Sequence, residues 1–97
     1  MIETVQALPE GVVVSLVLGG QQILLCNVAG EHFAISDVCS HGRTLLSGGK
    51  LRGHVISCPL HGARFDVRSG KCLSGPAVND VASFPVILSG DTVTVAT

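Results

Sequence analysis

Four side chains in the middle of the chain have the types and the spacing of a metal site. Cys39 and His41 lie in the loop Cys39-Ser40-His41-Gly42, and Cys58 and His61 lie in Cys58-Pro59-Leu60-His61-Gly62. Each loop therefore offers one thiolate and one imidazole, two or three residues apart, with a glycine directly after the histidine. A glycine there removes the Cβ that would hold the backbone away from a bulky ligand. Two Cys and two His suit either a tetrahedral zinc or a two-iron cluster with thiolates on one iron and imidazoles on the other. Structural zinc sites usually pair like with like along the chain. Here each loop mixes the two ligand types, and the sixteen residues from Gly42 to Ser57 separate the loops, which favours the iron cluster and leaves zinc as the alternative.

The pattern resembles the Rieske [2Fe–2S] signature. The likeness extends to Leu46-Ser47-Gly48-Gly49, to the run from His61 to Asp66, to the turn Ser69-Gly70 and to Gly75-Pro76-Ala77, covering most of residues 37–78. It implies that Cys39 and Cys58 hold a buried inner iron and that His41 and His61 hold an outer, solvent-side iron. It also implies that Gly75-Pro76-Ala77 folds over the cluster. Neutral imidazoles in place of two thiolates leave an oxidised cluster less negative and readier to accept an electron than an all-cysteine one. Within the family the nearest likeness is to the Rieske-type ferredoxins of bacterial aromatic-ring-hydroxylating dioxygenase systems. That implies a carrier, not an enzyme, passing single electrons from a flavin-dependent reductase to a terminal oxygenase. Quinol-oxidising Rieske proteins fit less well, because they carry an extra disulfide pair in the ligand loops and an N-terminal membrane anchor. Here Leu60 occupies one of those cysteine positions, and no cysteine closely follows His41. High-potential members place a serine and a tyrosine two and four residues after the second histidine ligand; this chain has Ala63 and Phe65.

The segments that must position these loops read as short β-strands. Residues 3–7, 12–18, 21–28 and 32–36 are expected strands of an antiparallel meander, broken by Leu8-Pro9-Glu10-Gly11, by the hairpin signal Gly19-Gly20 and by Ala29-Gly30-Glu31. The run 21–28 is apolar enough to be covered on both faces. Between the ligand loops, 50–52 and 54–57 form a hairpin around Gly53 that fixes their separation. Strands at 63–67, 71–73, 82–88 and 92–95 follow, with Pro85 marking an edge or bulge and Phe84, Val86 and Leu88 on one face. The expected fold is all-β: an antiparallel sandwich of stacked sheets in a single domain, 1–97. Its base is 1–36 and 68–97, and a cluster-binding subdomain, 37–67, is inserted into it.

Composition agrees. Ninety-seven residues make one domain, burying only roughly 60–65% of its unfolded surface, and a ligated cluster would supplement so small a core. There is no Trp or Tyr, and Val, Ile, Leu and Gly dominate, which suits strands and tight turns. The N-terminus lacks a basic start and an apolar run, and no stretch approaches the ~18 apolar residues of a membrane span. A soluble, cytoplasmic, monomeric protein is expected. Cys26 and Cys72 sit in apolar strand-like sequence and read as buried thiols rather than as a disulfide pair. His32 and His54 have no spaced partner and read as structural. All six basic residues lie between Arg43 and Lys71 against the single Asp66, so that segment carries +5 and the rest of the chain −6. Such an end would steer onto acidic surfaces of redox partners. No nucleic-acid role follows from so few aromatics and no net positive charge. No dinucleotide fingerprint and no spare two-His, one-carboxylate set are present, so catalysis has no seat. Two other readings stay open: a Rieske-like small subunit of another reductase or oxygenase, and a zinc-bound interaction module.

Overall fold

The computed structural model of the chain describes residues 1–40, 42–60, 62–75 and 79–97. Among them the backbone forms eleven strands in three antiparallel sheets, with no α-helix. The middle sheet runs β2 (Val13–Leu18), β3 (Gln21–Val28), β4 (Glu31–Ser36) and β9 (Ser83–Phe84) in that spatial order. Gly19 and Gly20 both adopt positive φ, 59° and 78°, so the two-residue hairpin between β2 and β3 forms where the glycine pair places it. Successive side chains of a strand point to opposite faces, and β3 is buried on both. Leu24, Cys26 and Val28 enter one buried cluster, while Ile23 and Leu25 enter another.

The second cluster lies beneath the sheet β1 (Ile2–Gln6), β11 (Thr92–Ala96) and β10 (Val86–Ser89), spatial order β1-β11-β10. The alternation of β11 is as expected: Val93 and Val95 are fully buried against Leu18, Ile23, Leu25 and Ala34. The pairing of β1 corrects the expected meander, because it lies along β11, with Ile2 opposite Ala96 and Gln6 opposite Thr92. The cause is the turn at Leu8-Pro9-Glu10-Gly11. Pro9 has no N–H for a ladder, Gly11 turns at φ 79°, and its N–H donates to the Asn27 carbonyl at 2.8 Å, which sends the chain to the other layer. The chain ends meet in this sheet, where the Met1 ammonium donates to the Thr97 carbonyl at 3.3 Å and the Thr97 N–H to the Met1 carbonyl at 2.9 Å.

The expected single strand 82–88 is two. Ser83 and Phe84 pair with Ile35 and Ala34 of the middle sheet, whereas Val86 pairs with Val95. Pro85 between them cannot donate to either ladder and hands the chain from one sheet to the other. Phe84 and Val86 pack on the core as expected, but Leu88, at the edge, is 48% exposed.

The third sheet comprises β5 (Lys50–Arg52), β6 (Val55–Ser57), β7 (Arg64–Asp66) and β8 (Cys72–Ser74) in that order, with a bulge between Arg64 and Phe65. Its last strand lies beyond residue 67. Ile56 and Phe65 are cross-strand partners, both fully buried, and they face the first cluster. A 3₁₀ turn at Leu46–Gly48, which periodicity did not announce, precedes β5 and buries Leu46 completely.

Candidate metal centre

The two ligand loops share one backbone plan. The Cys39 N–H donates to the Thr44 carbonyl at 2.9 Å and the Cys58 N–H to the Ala63 carbonyl at 2.7 Å, so each loop closes from its cysteine to the fifth residue on. Inside each, a second bond returns to the cysteine carbonyl, from the Gly42 N–H at 3.2 Å and from the Gly62 N–H at 3.0 Å. Gly62 requires its residue type, since its φ of 75° is left-handed backbone. Gly42 has open space where a Cβ would stand, so neither strain nor crowding explains it.

Cys39 and Cys58 are 2% and 4% exposed and belong to one buried cluster with Leu46, Ile56, Ala63 and Phe65. Two thiols in a dry apolar setting fit the thiolate end of a mixed Cys/His iron–sulfur centre. His41 and His61, and Pro76 and Ala77 of the segment expected to cover the cluster, lie outside the described residues. Among the described residues no group of three or more His, Cys, Asp or Glu side chains converges.

Asp37 anchors the first loop. It is fully buried, and its carboxylate accepts the Ser47 N–H at 2.6 Å, the Ser47 hydroxyl at 2.7 Å and the Ser15 hydroxyl at 2.7 Å. Its carbonyl also accepts the Leu46 N–H. A buried carboxylate persists only when hydrogen bonds replace its water, and these tie β2, the 3₁₀ turn and the chain entering Cys39 into one unit. The second loop is fixed from the other side. A Cβ on Gly49 would overlap the carbonyl oxygen of Ser57, the residue before Cys58. Farther along, the Ser40 hydroxyl donates to the Asn79 carbonyl at 2.6 Å, and the Cys72 N–H donates to the Asp80 carboxylate at 2.8 Å. The first ligand loop is thus fastened to the segment that returns from residue 75. Sequence reasoning passed over Asp37, although an acid between Ile35-Ser36 and Val38-Cys39 was the available signal.

The remaining candidates sort cleanly. Cys26 is a fully buried free thiol, and burial pushes its pKa up to about 11, so it stays protonated and apolar. Cys72 packs at the margin of the same cluster. The His54 ring stands edge-on to Phe33, with centroids 5.6 Å apart. His32 Nε2 accepts the Leu8 N–H at 3.0 Å, which leaves the proton on Nδ1, a buried atom with no partner among the described residues. Burial lowers the His32 pKa below its usual 6.5. As pH falls, the unfolded chain therefore takes up this proton before the folded one does. The stability associated with the neutral ring is complete above the usual imidazole range and is lost as pH falls from there towards the lower folded value. The denaturation midpoint should decline between about pH 7 and 5, and His32→Gln, which keeps an acceptor for Leu8, should shallow that decline. Identical slopes in the two proteins would remove His32 from the account.

Over residues 1–85 the chain matches the family described as Rieske [2Fe–2S] domain. The chain belongs to the Rieske [2Fe–2S] family. Its cofactor is accordingly a Rieske-type [2Fe–2S] cluster. This Rieske domain is 44% identical over 79 residues to the ferredoxin component of the naphthalene 1,2-dioxygenase/salicylate 5-hydroxylase systems of Ralstonia sp, spanning 81% of this chain and 76% of that one. It is 48% identical over 77 residues to the biphenyl 2,3-dioxygenase ferredoxin component of Rhodococcus jostii (strain RHA1), spanning 79% and 72% of the two chains. In three dimensions it overlays, with a TM-score of 0.91 and 31% identity, on a chain of the complex of reduced oxygenase and oxidised ferredoxin in carbazole 1,9a-dioxygenase, covering 98% and 92% of the two chains. The all-β Rieske fold expected from the sequence is the fold observed. No helix among the described residues is long and apolar enough to cross a membrane.

Proposed function

We propose that this chain is the soluble, cytoplasmic ferredoxin of an aromatic-ring-hydroxylating dioxygenase system, carrying one electron at a time from a flavin-dependent reductase to the terminal oxygenase. The observation that carries the reading is the pair of matching loops, each closed from a buried cysteine to the fifth residue on. The identities to named ferredoxin components support it. In this reading Cys39, Cys58, His41 and His61 hold the cluster, and the insert 37–67 carries it, with β8 completing its sheet. When bound, the cluster supplies a one-electron couple. The chain's own work is to hold the thiolate side dry, to fix the two loops at constant separation and to leave the histidine side for partners. The purified protein should be reddish-brown, contain acid-labile sulfide and give a rhombic paramagnetic signal on reduction. It should also accept electrons from a flavin reductase and reduce a terminal oxygenase. A colourless protein holding zinc would overturn the proposal.

The potential is a further expected result. Ala63 and Phe65 are fully buried in the cluster of side chains that contains both cysteines, and neither offers a hydroxyl. Donors to sulfur stabilise the additional negative charge of the reduced state, so their absence places the protein near the low end of the Rieske range, about −150 mV. One charge-assisted hydrogen bond of ~1.5–3 kcal/mol corresponds to roughly 60–130 mV for a one-electron couple. Ala63→Ser and Phe65→Tyr should each move the potential upward by as much as that in protein-film voltammetry. A wild-type value above about +100 mV, or no rise in either variant, would assign the potential to burial or to the surrounding charge instead.

A further inference from the structure

The third sheet presents an unbalanced row of cations beside the second ligand loop. Lys50, Ser57 and Arg64 are opposite one another across β5, β6 and β7, and Arg52, Val55 and Asp66 form the corresponding row one step along, so all six project from the same face. Lys50, Arg52 and Arg64 are exposed and line an open groove of about 520 Å³ that reaches Cys58 and Pro59. Among the described residues no acidic one lines it. The one carboxylate on this face, Asp66, is already engaged. The Arg68 guanidinium donates to both its oxygens, at 3.0 and 2.9 Å, and holds its carboxyl below the usual range. Among the described residues this is the one ion pair, so the three groove cations have no internal counter-charge. Like charges held near one another on a sheet cost stability in the isolated chain, a cost that an anionic occupant removes.

We propose that this groove seats an acidic surface loop of the terminal oxygenase, so that the partner docks against the β5–β7 flank of the second ligand loop rather than symmetrically over both loops. The inference rests on the functional reading given above. Charge complementarity selects the occupant: three exposed cations around an open, shallow groove match carboxylates on a protein surface. Leu60, next to Pro59 and 64% exposed, supplies an apolar contact at the rim. The flank also predicts a discrimination the linear sequence does not make. Arg52, six residues before Cys58, should matter as much as Arg64, whereas Arg43, next to the first loop, and Lys71, outside the groove, should matter less.

The test uses the cluster-loaded protein with its own reductase and oxygenase. Lys50→Glu, Arg52→Glu and Arg64→Glu, their glutamine counterparts and the control Lys71→Glu are compared once native visible absorption shows intact loading. Second-order rates of oxygenase reduction are measured by stopped flow between about 0.02 and 0.3 M salt. Wild type should slow as salt rises. Each groove reversal should lower the low-salt rate several-fold, the triple reversal by about tenfold or more, and the salt slope should flatten, with Lys71→Glu close to wild type. Reduction by the reductase should be unchanged. If wild type reduces the oxygenase and the groove variants do so equally well, the groove assignment falls while the function stands. If the variants fail with the reductase only, the groove is that partner's seat and the proposal is overturned. If loaded wild type does not reduce the oxygenase at all, the functional reading fails and takes the docking surface with it.

Discussion

Cys39→Ser or Cys58→Ser should abolish the visible absorption and the reduced-state paramagnetic signal completely. Both sulfurs are almost wholly excluded from solvent, within a cluster of Leu46, Ile56, Ala63 and Phe65. A serine there offers iron a hydroxyl in place of a thiolate and, without the cluster, buries a polar group at a cost of roughly 1–3 kcal/mol. Loss should stop at the near layer. No ligand cysteine belongs to the second cluster, where Leu18, Ile23, Leu25, Ala34, Val93 and Val95 meet. Hydrogen exchange on the serine variants should therefore show β5–β7 opening readily while β3 and β11 stay protected. His41→Cys or His61→Cys, by contrast, should leave the fold largely intact and shift or abolish the Rieske signal. A serine variant at either cysteine with native absorption and potential would sink the ligand assignment.

Gly49→Ala should be the most damaging single methyl that can be added to this chain near the site. The new Cβ would overlap the Ser57 carbonyl oxygen, which is backbone and has no rotamer to retreat into. The Gly49 N–H also donates to the Leu46 carbonyl at 2.9 Å, so Gly49 is held at the end of the 3₁₀ turn and cannot back away from Ser57 without breaking that bond. Overpacking of well-packed sites typically costs 1–3 kcal/mol and occasionally more; a backbone collision should reach about 3 kcal/mol or beyond, a large part of the ~5–15 kcal/mol that holds a small domain. The expected readout is a thermal midpoint lowered by more than about 10 °C together with poor retention of iron. Gly48→Ala is the control, since its Cβ would make only ordinary contact with Pro59, at 3.7 Å. Equal stability of the two variants would mean that β5 and β6 can shift freely, contrary to the packing described.

What could be read from the chain beforehand depended on how local its cause was. Gly19-Gly20 dictates its own hairpin, the alternation of Thr92 to Ala96 dictates its buried face, and the unbroken apolar run in β3 demands two covering layers. Each is a property of a few neighbouring residues. The partner of β1 is not, because Ile2 and Ala96 are brought together by everything between them. Pro85 signalled a break, but not that the chain would change sheets there. Of the candidate site, the two matching loops that open at Cys39 and Cys58 were legible and their supports were not. The three donors to Asp37 come from Ser15 and Ser47, on two other elements, so the residue looks unremarkable until the fold assembles them. The charge run was visible as a sum, whereas the gathering of Lys50, Arg52 and Arg64 along one groove follows from the register of β5, β6 and β7.

The pairing of Met1 with Thr97 has a practical side. Both ends leave from the sheet that covers the second cluster, across the middle sheet from Cys39 and Cys58. A donor protein tethered to either end would hang from the back of the molecule and leave the ligand loops open. Effective concentration falls to near zero when a linker cannot span the two sites, so, on the function proposed above, a covalent reductase fusion would feed this domain only through a linker long enough to reach round from the terminal sheet to the cysteine loops.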